Sequence, residues 1–193
     1  MLTIAHLGVE RLNYQVRLLL NKRANPNVRR EADGSTPLHN AAASGHATVV
    51  RQLVLHASTD VNAADAAGAT ALHRAAEKRR PEAMRELLQT SAVDVNRRTK
   101  GQRVTALFYP ALGGDAEMTR RLLDRGADPM LPDAEGWLPL HFAAQAGRRA
   151  VVEALVKAGS QVNYSAAAMG ETPLCVAAEQ GRWFRVNKVE SSL

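Results

Sequence analysis

Apolar positions along the chain recur at helical spacing in short, paired segments. Leu38, Ala41 and Ala42 stand at i, i+3 and i+4, and Val49, Val50, Leu53 and Val54 repeat that spacing shortly afterwards. The first segment carries its own start and stop signals. Thr36 can cap, Pro37 fits the first helical position because its missing N–H would be unpaired there anyway, and Gly45 suits a left-handed stop. Two short amphipathic helices joined by a tight link are therefore predicted between Thr36 and Val54. The alanines are small, so neighbouring first helices can approach closely.

The same pattern returns along the chain. Thr36-Pro-Leu-His39 with Ala41-Ala42 is followed by Thr70-Ala-Leu-His73 with Ala75-Ala76 and by Thr105-Ala-Leu-Phe108. Leu138-Pro-Leu-His141 with Ala143-Ala144 and Thr172-Pro-Leu-Cys175 with Ala177-Ala178 complete the series. The spacing is roughly 33 to 35 residues, and T-P-L-H-x-A-A at that period is a repeat signature. In these residues the chain resembles the ankyrin-repeat family over almost its whole length. The resemblance implies an all-α solenoid of stacked helix-turn-helix units joined by β-hairpin-like turns. It places about six repeats in a single array over 1–193, near 1–30, 31–64, 65–98, 99–131, 132–165 and 166–193.

Three units depart from the pattern. Residues 1–30 read as a partial first repeat, with Val16-Arg-Leu-Leu-Leu20 as its second-helix face. In the fourth unit Arg103 stands where the turn glycine belongs, Phe108 replaces histidine, and Pro110 falls on the first paired alanine. Counted from Thr105 as cap, Pro110 is the fifth helical residue, where it removes a backbone bond and clashes with the carbonyl four residues back. In the last unit Trp183-Phe-Arg-Val-Asn-Lys-Val189 lacks the second-helix spacing. It is either a divergent cap or the start of a unit in a longer array.

Composition fits short helices. Apolar residues make up 46% of the chain and aromatics only 4%, so the core must be built from Ala, Leu and Val rather than from aromatic sandwich layers. The single cysteine, Cys175, excludes an internal disulfide framework and fits a reducing compartment. No apolar run reaches the ~18 residues of a membrane span, and Met1-Leu-Thr-Ile-Ala-His6 lacks the charged and apolar regions of a leader. The expected location is the cytoplasm, with the nucleus as an alternative suggested by Lys78-Arg-Arg-Pro81.

Candidate chemistry is sparse. His39, His73 and His141 recur, but each belongs to a different repeat, so they are spread along the array rather than gathered around a metal. Each imidazole is expected to bond the capping residue and the neighbouring turn, and Cys175 in the corresponding slot is expected to be a packed thiol. No nucleophile elbow, zinc-protease helix or phosphate loop occurs, and no cofactor is expected. The family resemblance further implies that Asn62 and Asn96, in the turn series Asp60-Val-Asn62 and Asp94-Val-Asn96, are candidate substrates of asparaginyl hydroxylases.

The net charge of +6 permits an acidic protein, nucleic acid or simple solubility. Ankyrin resemblance implies a non-catalytic module that binds a partner protein on the first-helix face and the turn tips. The candidate partner-binding residues are Arg97, Arg98, Lys100, Arg103, Val104, Asp133, Glu135, Trp137, Gln145 and Met169. Val104 and Trp137 are large apolar residues at adjacent tips without a core reason to be there, and the charges rim them. A monomer acting on a protein partner is the reading. The alternatives are a basic surface for nucleic acid or acidic phospholipid, or the ankyrin part of a larger enzyme or effector. Scattered arginine pairs at 120–121 and 148–149 argue against one continuous basic stripe.

Overall fold

The computed structural model describes residues 4–166 and 170–179, and side chains from residue 12 onward. These residues form helices and turns, with no strand among those described. The chain divides into two compact units, Met1–Lys100 and Gly101–Leu193.

The first unit contains α1 (Ile4–Asn21), α2 (Pro37–Ser44), α3 (Ala47–Leu55), α4 (Ala71–Glu77) and α5 (Pro81–Leu88). First helices pack on first helices, α2 against α4, while α3 packs against α5 and α1 against α3. Leu38, Ala42, Leu72, Ala75, Ala83 and Leu87 are buried at these contacts. Alanine at 42, 75 and 83 lets the short helices close on each other, and the leucines fill what remains. Truncating Leu38 to Ala in this packing would cost about 2–5 kcal/mol.

The second unit contains α6 (Phe108–Gly113), α7 (Ala116–Asp124), α8 (Pro139–Gln145) and α9 (Arg149–Lys157). A further helical segment, α10, runs through 173–179. Here α6 packs against α8 and α7 against α9. Met118, Leu122, Val151 and Leu155 form the buried side of the second helices.

The recurring histidines tie one repeat to the next. Nδ1 of His39 accepts the Thr36 backbone N–H at 3.1 Å, and Nε2 lies 2.9 Å from the Ala69 carbonyl in the following turn. A carbonyl can only accept, so Nε2 carries the proton. Nδ1 of His73 accepts from Thr70 N–H at 3.1 Å. His141 accepts from Leu138 N–H at 3.0 Å and reaches the Glu171 carbonyl at 3.2 Å. Burial holds the pKa of His39 below its ordinary value, opposed by the bond to Ala69. Cys175 departs from the expected packed thiol. It is exposed, with Thr172 Oγ1 3.3 Å away.

Turn asparagines bridge repeats as well. Nδ2 of Asn62 donates to the Ala92 carbonyl at 2.7 Å, and its Oδ1 accepts the Asp94 N–H at 2.8 Å. Asn27 does the same for Ser58 and Asp60, at 2.6 and 2.8 Å. Backbone bonds then link neighbouring turns, from Ala66 N–H to Asp33 and from Lys100 N–H to Ala67, each at 2.9 Å.

The fourth repeat solves its proline problem by starting its helix late. Thr105 is not the cap; Leu107 is, and Pro110 becomes the third residue of α6. In the first turn an amide has no intrahelical partner, so the missing proline N–H leaves nothing unmade. Residues 106–107 form a turn instead, closed by Phe108 N–H to the Thr105 carbonyl at 3.2 Å. Arg103 takes the glycine's conformation directly, with φ of 56°.

Candidate interaction groove

In the second unit, α6, α8 and the turn before α8 enclose a groove of about 310 Å³. Its apolar floor is Val104, Phe108, Leu112 and Phe142, with Tyr109 beside them. Gln102, Asp133, Ala134 and Glu135 complete the lining. Phe108 is buried because it occupies the slot that histidine holds elsewhere, and Phe142 meets it edge-on with centroids 5.5 Å apart. Leu112, by contrast, leaves 50% of its surface in water.

Trp137 closes the aromatic cluster from the turn. Its ring lies 5.4 Å from His141 and 5.5 Å from Phe142, centroid to centroid. The indole is thus half-buried on its own loop and on α8, not standing out at the tip as the sequence suggests. The reason is local: a helix places residues 141 and 142 directly after the turn, and their rings offer a flat apolar surface.

Asp133 fixes the turn that carries the acidic rim. Its Oδ1 accepts the N–H of Glu135 at 2.9 Å and of Trp137 at 2.8 Å. Backbone bonds from Asp133 N–H to Trp137 and from Ala134 N–H to Gln102, both 2.9 Å, hold the turn against its predecessor. Glu135 projects from the exposed part of this turn.

Of the sequence candidates, Val104, Asp133 and Glu135 come together on this groove, with Trp137 behind it. Gln145 is half-buried at the end of α8, and Arg103 is exposed beside Val104. Arg97, Arg98 and Lys100 belong to the first unit, and Met169 lies outside the described residues, as does the tail 180–193. Asn62 has both ends of its amide engaged, while Asn96 takes its N–H to Asp94 Oδ1 at 3.0 Å. Gln102, Tyr109, Leu112 and Phe142 carry no motif, and Phe108 is marked only as the residue that replaces histidine. A signal was present: five of the eight aromatic residues fall between Phe108 and Tyr164.

Most arginines with a described partner hold the fold together. Arg51 grips the buried Glu86 through two bonds of 2.8 and 2.7 Å, and this keeps the Glu86 carboxyl below the usual range. Arg74 bonds the buried Asp65 at 2.9 Å and Glu77 at 2.8 Å, and Lys78 adds a 3.0 Å pair to Glu77. Arg80 reaches the Ala43 carbonyl at 3.1 Å, and Arg148 the Leu112 carbonyl at 3.3 Å. Among the described residues no cluster of three His, Cys, Asp or Glu side chains could hold a metal, and no helix is long and apolar enough to cross a membrane.

Comparison with known proteins agrees with this architecture. A family model described as ankyrin repeats in three copies matches residues 5–99, 91–166 and 107–186. The protein PhlB of Serratia liquefaciens is 39% identical over 86 residues, covering 44% of this chain and 38% of PhlB. The human ankyrin repeat domain-containing protein 39 is 33% identical over 55 residues, covering 28% of this chain and 30% of that protein. The chain therefore spans well under half the length of either relative.

Proposed function

The chain belongs to the ankyrin-repeat family, and from that premise we propose that it is a non-catalytic module that binds a partner protein. Repeats of this family generally serve protein–protein interaction. The observation that supports a particular surface is the groove at Leu112 and Phe142, where apolar area remains open above the buried Phe108 and beside a charged rim. Val104, Asp133, Glu135, Trp137 and Gln145 are the candidates around it in the second unit. Arg103, also in the second unit, and Arg97, Arg98 and Lys100, in the first, are the remaining charged candidates.

A nucleic-acid or phospholipid surface finds less support. Binding of that kind needs arginines available to phosphates. Here Arg51, Arg74, Arg80, Arg120, Arg121, Arg148 and Arg149 already bond carboxylates or backbone carbonyls. The test is affinity capture from the source cells with the wild-type chain and with Leu112→Glu. The interaction reading expects a protein that is retained by the first and lost by the second. Capture of nucleic acid alone, released steeply by salt, would overturn it.

A further inference from the structure

We propose that the groove in the second unit recognises an arginine-bearing segment of the partner, the guanidinium lying over the aromatic floor and against the carboxylates of the rim. This deepens the interaction reading and rests on it. The chain is basic overall, with 25 lysines and arginines against 19 acids, yet no lysine or arginine lines this groove. Its two charged liners are Asp133 and Glu135. Other grooves differ: one along α7 and α9 carries both signs, with Arg120, Asp124, Glu153 and Lys157, and one beside Leu174 carries Arg148 and Arg149. Arg103, between the liners Gln102 and Val104, is exposed outside the lining, so the charge within the groove is acidic alone and favours a cationic ligand.

The floor narrows the choice from any cation to arginine. The half-buried Tyr109 and Phe142 present aromatic surface above the buried Phe108, and a planar guanidinium stacks on a ring while its N–H groups bond a carboxylate in the same plane. A lysine ammonium could meet the carboxylates but would leave the rings without a flat partner. The rim is preset for this task. Asp133 is held by its two turn amides, so its orientation does not have to be fixed when the ligand arrives. Val104 and the half-exposed Leu112 give the neighbouring position an apolar seat, so the segment pairs arginine with an aliphatic or aromatic residue.

The probe is a display library of short random peptides, selected on the full chain. Enriched sequences should carry arginine next to an apolar residue, and the selected peptide should bind by calorimetry. Glu135→Lys, at an exposed position, should weaken it about tenfold, and Asp133→Asn, which retains the turn acceptor, about threefold. Exchange of the peptide's arginine for lysine should weaken it at least about threefold. Enriched peptides without arginine, or peptides indifferent to Glu135→Lys, would overturn this proposal and leave the interaction reading standing. If no peptide is enriched, the proposal falls, and capture with Leu112→Glu still decides the interaction reading separately.

Discussion

The Trp137 indole covers the His141 imidazole, with ring centroids 5.4 Å apart and planes inclined at 45°. Beneath it, His141 links the Leu138 amide to the Glu171 carbonyl of the next turn. One aromatic residue thus both shields a bond between repeats and backs the groove through Phe142. Trp137→Ala should lower stability by about 1–2 kcal/mol, since it removes ring contacts from a half-buried site. Chemical denaturation measures this directly. A loss above about 4 kcal/mol would mean that the indole is core, and no loss would mean that the stacking is idle.

The histidine bonds make stability depend on pH with a defined sign. Burial lowers the folded pKa of His39 below 6.5, so the unfolded chain takes up the proton first as pH falls. The contribution of His39 is complete above about pH 6.5 and is lost as pH falls from there through the folded value. Denaturant midpoints of wild type and His39→Gln should converge as pH is lowered through this window. Parallel curves would show that His39 is not the titrating group.

Gly45 takes φ of 80° with the Arg80 side chain laid against it, and a Cβ there would sit 2.9 Å from Arg80 Cδ. Gly45→Ala should cost about 1–2 kcal/mol, mainly from the left-handed backbone. Arg80→Ala on that background should return only a minor part, because the arginine is flexible. A double-mutant cycle separates the two effects. Full recovery would show that the clash, not the backbone, dominates.

The late start of α6 should make the fourth repeat exchange its amides readily. Its helix spans Phe108–Gly113 with Pro110 inside it, whereas α2 spans Pro37–Ser44 with a Thr36 cap and a His39 bond. Hydrogen exchange should be faster in 103–114 than in 36–46. Equal protection would contradict a locally weaker repeat.

Much of the helical plan was readable from the chain because it depends on local signals. Thr36 and Thr70 cap where their T-x-L-H motifs place them, and Gly45 and Gly114 end first helices with positive φ. Arg103 was legible as a residue forced into a glycine conformation. The consequence of Pro110 was not. A proline's cost is set by its distance from the helix start, and here the start itself moved by two residues to release the strain. The groove was legible only at its rim. Asp133 and Glu135 sit in a recognisable turn, but Phe108, Leu112 and Phe142 meet through the packing of α6 on α8, which no local motif specifies. The Asp65–Arg74 and Arg51–Glu86 pairs were hidden for the same reason.

The most direct measurement is the affinity of the captured partner for wild type and for Leu112→Glu, with both melting temperatures recorded. Leu112 is half-exposed on the groove and is not part of the buried core, so its replacement tests the surface without testing the fold. An interaction groove at this place predicts at least about tenfold weaker binding with melting within a few degrees of wild type. Equal affinity of the two proteins for the partner would contradict it.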